Sequence, residues 1–240
     1  METVFKLSSM VSPYRKLLRS NIIWRLSGLS YRSAVMATLD GSYLNKNEYF
    51  DLGRVEMTPL MEYFHRNDEV LEFGCGPGKN LFAVSNRIKQ GMGLDVNKLY
   101  IRLARKLSKF YKVSNLAFES YNGADLPNLH SFDVIFSKGV FERLPKGQVL
   151  DYVRSMNGMY LREGGIMILY FLSERALNNP DFIRRLGADA YVTWSHAEIK
   201  RALENVGLRI IEAMEWENAN VYVAKKSLSH SLAVTERQKT

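Results

Sequence analysis

The sequence predicts an α/β fold, a doubly wound and mostly parallel sheet whose last strand runs antiparallel. Three observations predict it. Glu69 to Asp95 reads as strand, glycine-rich turn, helix and strand, a βαβ unit. Beyond it, short apolar runs alternate with segments of helical period, the pattern of a sheet wound with helices. Near the end of the chain two strand-like runs, Arg209 to Glu215 and Asn220 to Lys225, are separated by a short loop and form a hairpin.

In chain order, residues 1–44 read as an N-terminal helical extension. Between Tyr14 and Leu26, Tyr14, Leu17, Leu18 and Trp24 fall near one face at the helical period, while Arg15, Lys16 and Arg19 point elsewhere. Such a helix packs on the body with a solvated cationic face, forms a lid over a substrate pocket, or rests weakly on an anionic membrane surface. The net charge of +8 is gathered at the ends. Residues 1–40 hold six basic side chains against two acidic ones and residues 225–240 four against one, so only +1 is left for the middle. Hydrophobic residues make up 46% and charged residues 24%, a globular balance, and 240 residues suffice for one domain with an extension. Cys75 is the only cysteine, which excludes an internal disulfide and a cysteine-rich metal site; no metal is expected. With no apolar run of membrane-spanning length and no signal-peptide pattern, the expected location is the cytoplasm.

Residues 44–64, LNKNEYFDLGRVEMTPLMEYF, predict a turn around Asp51, Leu52, Gly53 and Arg54 and then a helix from about Val55 to His65. The central unit follows. Val70, Leu71 and Phe73 make an apolar strand, Gly74, Gly76 and Gly78 a turn, and Leu81, Phe82, Val84 and Ile88 mark a helix before the strand that ends at Asp95. Glycine at alternate positions lets the backbone take positive φ and lets a ligand lie against the main chain. An acid at the tip of the next strand is placed to accept hydrogen bonds from two ribose hydroxyls, so the expected ligand is a nucleoside. A dinucleotide fold wants a third glycine one place beyond Gly78, where this chain has Lys79. The spacing is GxGxG instead, with Glu72 two residues ahead, and with the downstream elements it resembles the class I S-adenosylmethionine (SAM)-dependent methyltransferases. The resemblance implies a Rossmann-like seven-stranded sheet, SAM as cofactor, Glu72, Gly74, Gly76 and Gly78 as the floor under its methionine part, and Asp95 as the ribose anchor. Cys75, inside the turn, would face the cofactor or the core. YFDLGR looks like a segment that lies over the SAM site in one subgroup, which would bring Tyr49 and Arg54 to the cofactor, Arg54 as a partner for its carboxylate. Otherwise the two belong to a cap and turn with surface charges.

After Asp95, Val96 would pack on the adenine face, and Asn97 is a good N-cap for a helix from Lys98 to Tyr111. A third strand, Leu116 to Ser120, leads into YNGADLP, where the family usually has an acid that accepts from the adenine amino group. Asn122 stands there, beside Gly123, and its side-chain carbonyl accepts the same bond; Asp125 is the alternative. Strand four, Phe132 to Ser137, is apolar enough to be buried on both faces, and Ser137 at its tip would face the transferring methyl group. Where the family often ends a phrase Glu-His-Leu-Pro, this chain has Glu142, Arg143, Leu144 and Pro145. A helix from Gly147 to Tyr160 leads into LREGGIMILYF, similar to the family's double-glycine turn into strand five. Residues 173–193 form an insertion where this fold builds its substrate pocket. Ser195 caps a helix that Gly207 ends. Residues 45–226 are thus the methyltransferase domain, and 227–240 a disordered tail.

Methyl transfer from a sulfonium uses an already activated donor, so the protein chiefly aligns the reactants and excludes water. A base is needed only if the acceptor must lose a proton. The candidates are His196 and Glu142, then Glu174 and, more remotely, His65 and His130; Tyr170 and Ser137 are candidate positioning groups, and Cys75 is disfavoured as a nucleophile. Amine methylation in DNA goes with an Asn/Asp-Pro-Pro-aromatic phrase after strand four, where this chain has Ser137, Lys138, Gly139 and Val140. No cysteine stands near strand four for pyrimidine carbon chemistry, and the near-neutral middle lacks the broad basic face of a nucleic-acid binder. The leading expectation is a SAM-dependent methyltransferase acting on a small molecule or on a sugar, lipid or glycan precursor. The alternatives are an RNA or protein methyltransferase that recruits through its basic ends, and a SAM-binding module without transferase activity, motivated by Arg143.

Overall fold

The structure, a computed structural model, describes residues 46–227 apart from 124, 181–190 and 217. The predicted extension, almost all of the predicted tail and the middle of the insertion lie outside those residues.

Seven strands form one sheet: β1 (Glu69–Phe73), β2 (Gln90–Asp95), β3 (Leu116–Ser120), β4 (Phe132–Ser137), β5 (Leu161–Leu172), β6 (Leu208–Trp216) and β7 (Ala219–Lys226). Their order is β3-β2-β1-β4-β5-β7-β6. The first five pair in parallel, and β7 runs antiparallel to both its neighbours. The expected mostly parallel sheet with an antiparallel last strand is what the chain forms, with β6 returning outside β7 as the edge. β1 is buried along its whole length and β4 almost so, which is why both read as apolar runs. Alternate side chains feed two cores: Leu71, Phe73, Ile135 and Leu169 point to one face, and Val70, Val134, Phe136 and Ile168 to the other.

The helices are α1 (Lys46–Met57), α2 (Lys79–Val84), α3 (Lys98–Phe110), α4 (Lys146–Ser155) and α5 (His196–Asn205). Asn97 caps α3, accepting from Leu99 and Tyr100 N–H, and Ser195 caps α5 in a reciprocal box with Glu198. Two predicted boundaries differ. The turn expected at 51–54 is helical: α1 runs through Gly53 and gives way to a 3₁₀ turn, Thr58–Tyr63, at Pro59, which cannot continue an α-helix. Gly53 serves close approach, since a Cβ there would lie 2.7 Å from Lys79 Cγ and 2.9 Å from Lys79 O. The double glycine likewise lies within a strand. Phe132 pairs with Leu161 but Val134 with Ile166, so β5 bulges around Gly164 (φ 76°) and Gly165.

At the N-terminal end of the sheet Arg162 ties three strands together, reaching Glu69 at 2.6 Å and Asp133 at 2.7 Å. Lys89 and Arg162 hold the Glu69 carboxyl down at about 2. The opposite end is left for ligands, because strand order reverses between β1 and β4, the switch point where such sheets bind them.

Candidate functional site

The site starts where β1 passes into α2. Gly74 and Cys75 both donate to Leu94 O, at 2.8 and 2.9 Å, so the turn is sewn to the end of β2. Gly74, Gly76 and Gly78 all have positive φ, at 76°, 52° and 92°. A Cβ at Gly74 would overlap Val140 Cγ2, and one at Gly78 would come 2.8 Å from the Phe118 ring. Those two glycines are therefore required by the protein's own packing as well as by any ligand. Cys75 turns its thiol into the core, against Gly93 and Phe118, where burial pushes its pKa well up. The thiol is turned away from any ligand above the turn and is not a reactive thiolate.

Asp95, at the tip of β2, holds the turn from the other side. Its Oδ2 accepts from Gly76 N–H at 2.8 Å and its Oδ1 from Asn97 N–H at 2.7 Å. Burial pushes its pKa up to about 6, against the opposing effect of those two bonds. Each carboxylate oxygen keeps a further acceptor direction, enough for a pair of hydroxyl donors. Val96 follows half-buried. Beyond β3, Asn122 and Asp125 close on each other: Asp125 N–H donates to Asn122 Oδ1 at 2.8 Å, and Asn122 Nδ2 to Asp125 Oδ2 at 3.0 Å. The two candidates for an adenine contact thus form one turn, whose Gly123 carbonyl accepts from the Tyr152 hydroxyl.

Beneath the turn lies Glu72, fully buried. Asn80 Nδ2 donates to its Oε1 at 2.7 Å, and Oε2 has no partner among the described residues. Burial is the main cause that pushes its pKa to about 8, so the carboxyl is protonated at neutral pH. A cofactor of the SAM kind can be tested against these features. A main-chain cradle, an anchored carboxylate with acceptor capacity for a diol, and a buried carboxyl oxygen lacking a partner all fit it.

On the other side of the switch point, the Ser137 hydroxyl donates to Phe73 O at 2.9 Å and so stitches β4 to β1. Next to it is a group that the sequence reading missed. Glu56 of α1 accepts from Lys79 at 2.7 Å and from Lys138 just past β4. Lys138 Nζ sits 5.4 Å from the Tyr170 ring centre and 5.5 Å from that of Trp216. Tyr170 is buried, and its hydroxyl has no partner among the described residues. Lys79, which stands where a dinucleotide fold has its third glycine, is accommodated by Gly53. No local pattern could have announced this pairing, since it depends on where α1 docks.

The remaining candidates are dispersed. Glu142 is half-buried in the short turn after β4, and its carbonyl accepts from Val192 N–H at 2.7 Å. Arg143, in place of the family's histidine, stacks 4.9 Å from the Tyr191 ring centre. His196 bonds the Tyr222 hydroxyl on β7 and lies 3.5 Å from Glu215. β7 is three strands from β1, about 14 Å at the usual spacing of about 4.8 Å, so His196 is not gathered with the turn. Arg54 is exposed and paired with Asp51 at 2.7 Å on the surface of α1. Tyr49 lies in the same helix, with its side chain outside the description. His65 and His130 pair with Asp68 and Glu69 at the far end of β1, away from the turn, and Glu174 is exposed in a 3₁₀ turn after β5.

Sheet order, turn and anchored acid together define a Rossmann-like fold of the class I methyltransferase type. The chain belongs to the methyltransferase domain family, whose profile matches residues 64–231. Among solved structures it is similar to magnesium protoporphyrin IX methyltransferase from Synechocystis PCC 6803, with bound S-adenosylhomocysteine, at 14% identity and a TM-score of 0.64, covering 87% of this chain and 99% of that one. A SAM-dependent methyltransferase from Methanosarcina mazei is 18% identical with a TM-score of 0.59, covering 71% of this chain and 98% of that one. The [4+2]-cyclase SpnF is 14% identical with a TM-score of 0.60, covering 72% and 81%. An uncharacterised protein of Rickettsia prowazekii (strain Madrid E) is 27% identical over 121 residues, which span about half of either chain.

Proposed function

We propose that this chain is an enzyme that transfers the methyl group of SAM, by in-line displacement, to a small molecule or to a sugar, lipid or glycan precursor. The observation that carries the reading is the clamp on Asp95, which joins the glycine turn, the β2 tip and the cap of α3 into one rigid unit. When bound there, SAM supplies a methyl group already activated on a sulfonium. The protein's part is to hold and align. Glu72, Gly74, Gly76 and Gly78 form the floor, with Cys75 contributing only main chain. Asp95 accepts from the ribose hydroxyls, Val96 packs on adenine, and Asn122 with Gly123 meets the adenine edge. Tyr49 and Arg54 act as cover, for which Arg54 must leave Asp51.

On the acceptor side, Ser137 fixes the β4 tip, and Lys138 and Tyr170 present polar groups beside it. Glu142 is the group in reach of that tip for a proton; His196 would serve only an acceptor long enough to extend over β7. A small acceptor is supported by Ser137, Lys138, Gly139 and Val140 standing where a base-gripping phrase would be, and by the small-molecule acceptor in the name of the Synechocystis neighbour. Residues 45–226 form the catalytic domain, 1–44 an extension or lid, and 227–240 a tail. Among the described residues no helix is long and apolar enough to cross a membrane, and the cytoplasm is the proposed location.

Calorimetric titration with SAM and S-adenosylhomocysteine, beside Asp95→Ala and an NAD control, tests the reading. Binding of SAM that Asp95→Ala weakens at least roughly tenfold is expected, the order of one charge-assisted hydrogen bond. Absence of SAM binding, or preference for NAD, would overturn it. Because the fold also serves a cyclase, conversion of SAM to S-adenosylhomocysteine with a defined acceptor is the second requirement.

A further inference from the structure

The helix beside the ribose anchor carries an uncompensated stripe of charge. α3 contains Lys98, Arg102, Arg105, Lys106 and Lys109 and no acid. Their spacing puts them along one side for about 16 Å at a rise of about 1.5 Å per residue, while Tyr100, Ile101, Ala104 and Leu107 are buried on the other. The stripe lines a groove that ends at Ser120, the tip of the edge strand β3. Arg105 is partly engaged, its guanidinium donating to Phe118 O at 2.9 and 2.6 Å. Lys98, Arg102, Lys106 and Lys109 have no ion pair among the described residues. Glu119 of β3 alternates to the opposite face of the sheet from Leu116 and Phe118, which pack under α3 with Ile101 and Ala104.

We propose that this outer face of α3 docks on an anionic phospholipid surface. Charge complementarity is the first reason, since each Lys or Arg held near such a surface strengthens partitioning by about fivefold. The second is Phe110, which ends the stripe between Lys109 and Lys112 and is 66% exposed. A large ring among cations suits the headgroup boundary. The third is where the chain enters the body. Phe50 of α1 packs edge-on against Tyr111, 4.8 Å between ring centres, and shares a small cluster with Leu107. α1, the first described element, therefore docks beside the C-terminal turn of α3, next to Phe110. A single-stranded RNA would call for rings interleaved with the cations; between Lys98 and Lys109 the one ring, Tyr100, is buried on the opposite face, and Phe110 stands only at the end of the stripe. Because α3 starts at the Asn97 cap beside Asp95, docking would bring the cofactor end of the sheet to the lipid. The inference deepens the lipid-precursor branch of the reading above, and its test reads binding alone.

The test is co-sedimentation of the full chain with vesicles of phosphatidylcholine, with and without phosphatidylglycerol, at low and high salt. It is run beside an Arg102→Glu/Lys106→Glu/Lys109→Glu variant and a Phe110→Ser variant. Expected is binding to the anionic vesicles only, lost at high salt, reduced at least about a hundredfold in the triple variant and severalfold in Phe110→Ser. Circular dichroism and SAM titration should leave both variants folded and SAM-competent, which separates failure here from failure of the methyltransferase reading. Equal binding to neutral vesicles, no vesicle binding, or full binding by the triple variant would each sink the proposal. So would tight binding of a short single-stranded RNA that the triple variant loses, in the absence of vesicle binding.

Discussion

At Asp95 two backbone N–H groups, from Gly76 and Asn97, work against burial, and burial wins: the carboxyl titrates near 6 in place of its ordinary range. Ribose hydroxyls are held best by the ionised form. SAM affinity should therefore be flat above about pH 7 and fall toward about tenfold per unit below about pH 6, with Asp95→Asn removing the dependence in a calorimetric pH series. For stability of the free protein the sign is opposite. An acid whose pKa is raised on folding stabilises the fold fully below its ordinary value, and that contribution is lost as pH rises through the folded value. Glu72, at about 8, is the larger case; Lys79 and the Asn80 amide favour its charged form, and Asp95 disfavours it. Between about pH 5 and about pH 9 the ligand-free wild type should lose a few kcal/mol that Glu72→Gln retains, as read by thermal unfolding. Parallel pH profiles for the two proteins would show that Glu72 is already charged in the fold.

Among the elements, the glycine turn makes two separable demands, on φ and on space. Gly74→Ala meets both, with φ at 76° and the new methyl inside Val140. Urea unfolding should show a loss of roughly 2–4 kcal/mol. Adding Val140→Ala should recover the steric part and leave about 1 kcal/mol for the backbone. Gly158→Ala, where a Cβ meets nothing within 4 Å, is the neutral control; a loss at Gly158 as large as at Gly74 would refute the assignment. The βαβ unit was legible in the sequence because its signals are local: an apolar run, glycines that need positive φ, and an acid at the next strand's tip. The antiparallel β7 was legible as half of a hairpin, and the family resemblance supplied the count of seven strands. Gly53 misled, because a glycine that admits a neighbouring helix looks the same in sequence as one that breaks its own helix. The β5 bulge stayed hidden in the same way, with Gly164 and Gly165 reading as a turn before the strand when they lie within it. His196 was chosen by type and position along the chain and Arg54 by the resemblance of YFDLGR, and their partners, Tyr222, Glu215 and Asp51, could be known only from the packing.

Across the whole molecule, averaging conceals what the fold concentrates. A middle segment of net charge +1 gave no warning of the α3 stripe, because its acids lie on other elements, and the Glu56 cluster is assembled from residues far apart in sequence. That cluster fastens α1 to the start of α2 and the end of β4 at once, so it couples the segment entering the domain to both halves of the site. The side chains of Glu56, Lys79 and Lys138 are 22%, 11% and 24% exposed. Removing the shared carboxylate therefore leaves two poorly solvated ammonium groups facing each other. Glu56→Ala should cost on the order of 2–4 kcal/mol, and the thermal midpoint should fall by roughly 2–4 °C for each kcal/mol. Hydrogen exchange should accelerate over residues 46–57 and leave β1 and β4 protected, because the sheet's own ladder does not depend on the ion pairs. Adding Lys79→Met and Lys138→Met to a Glu56→Met variant should restore most of the midpoint, since an apolar trio of similar volume needs no charge partner. If exchange instead quickens evenly across the sheet, α1 is part of the folding core and not a separately fastened element over the site.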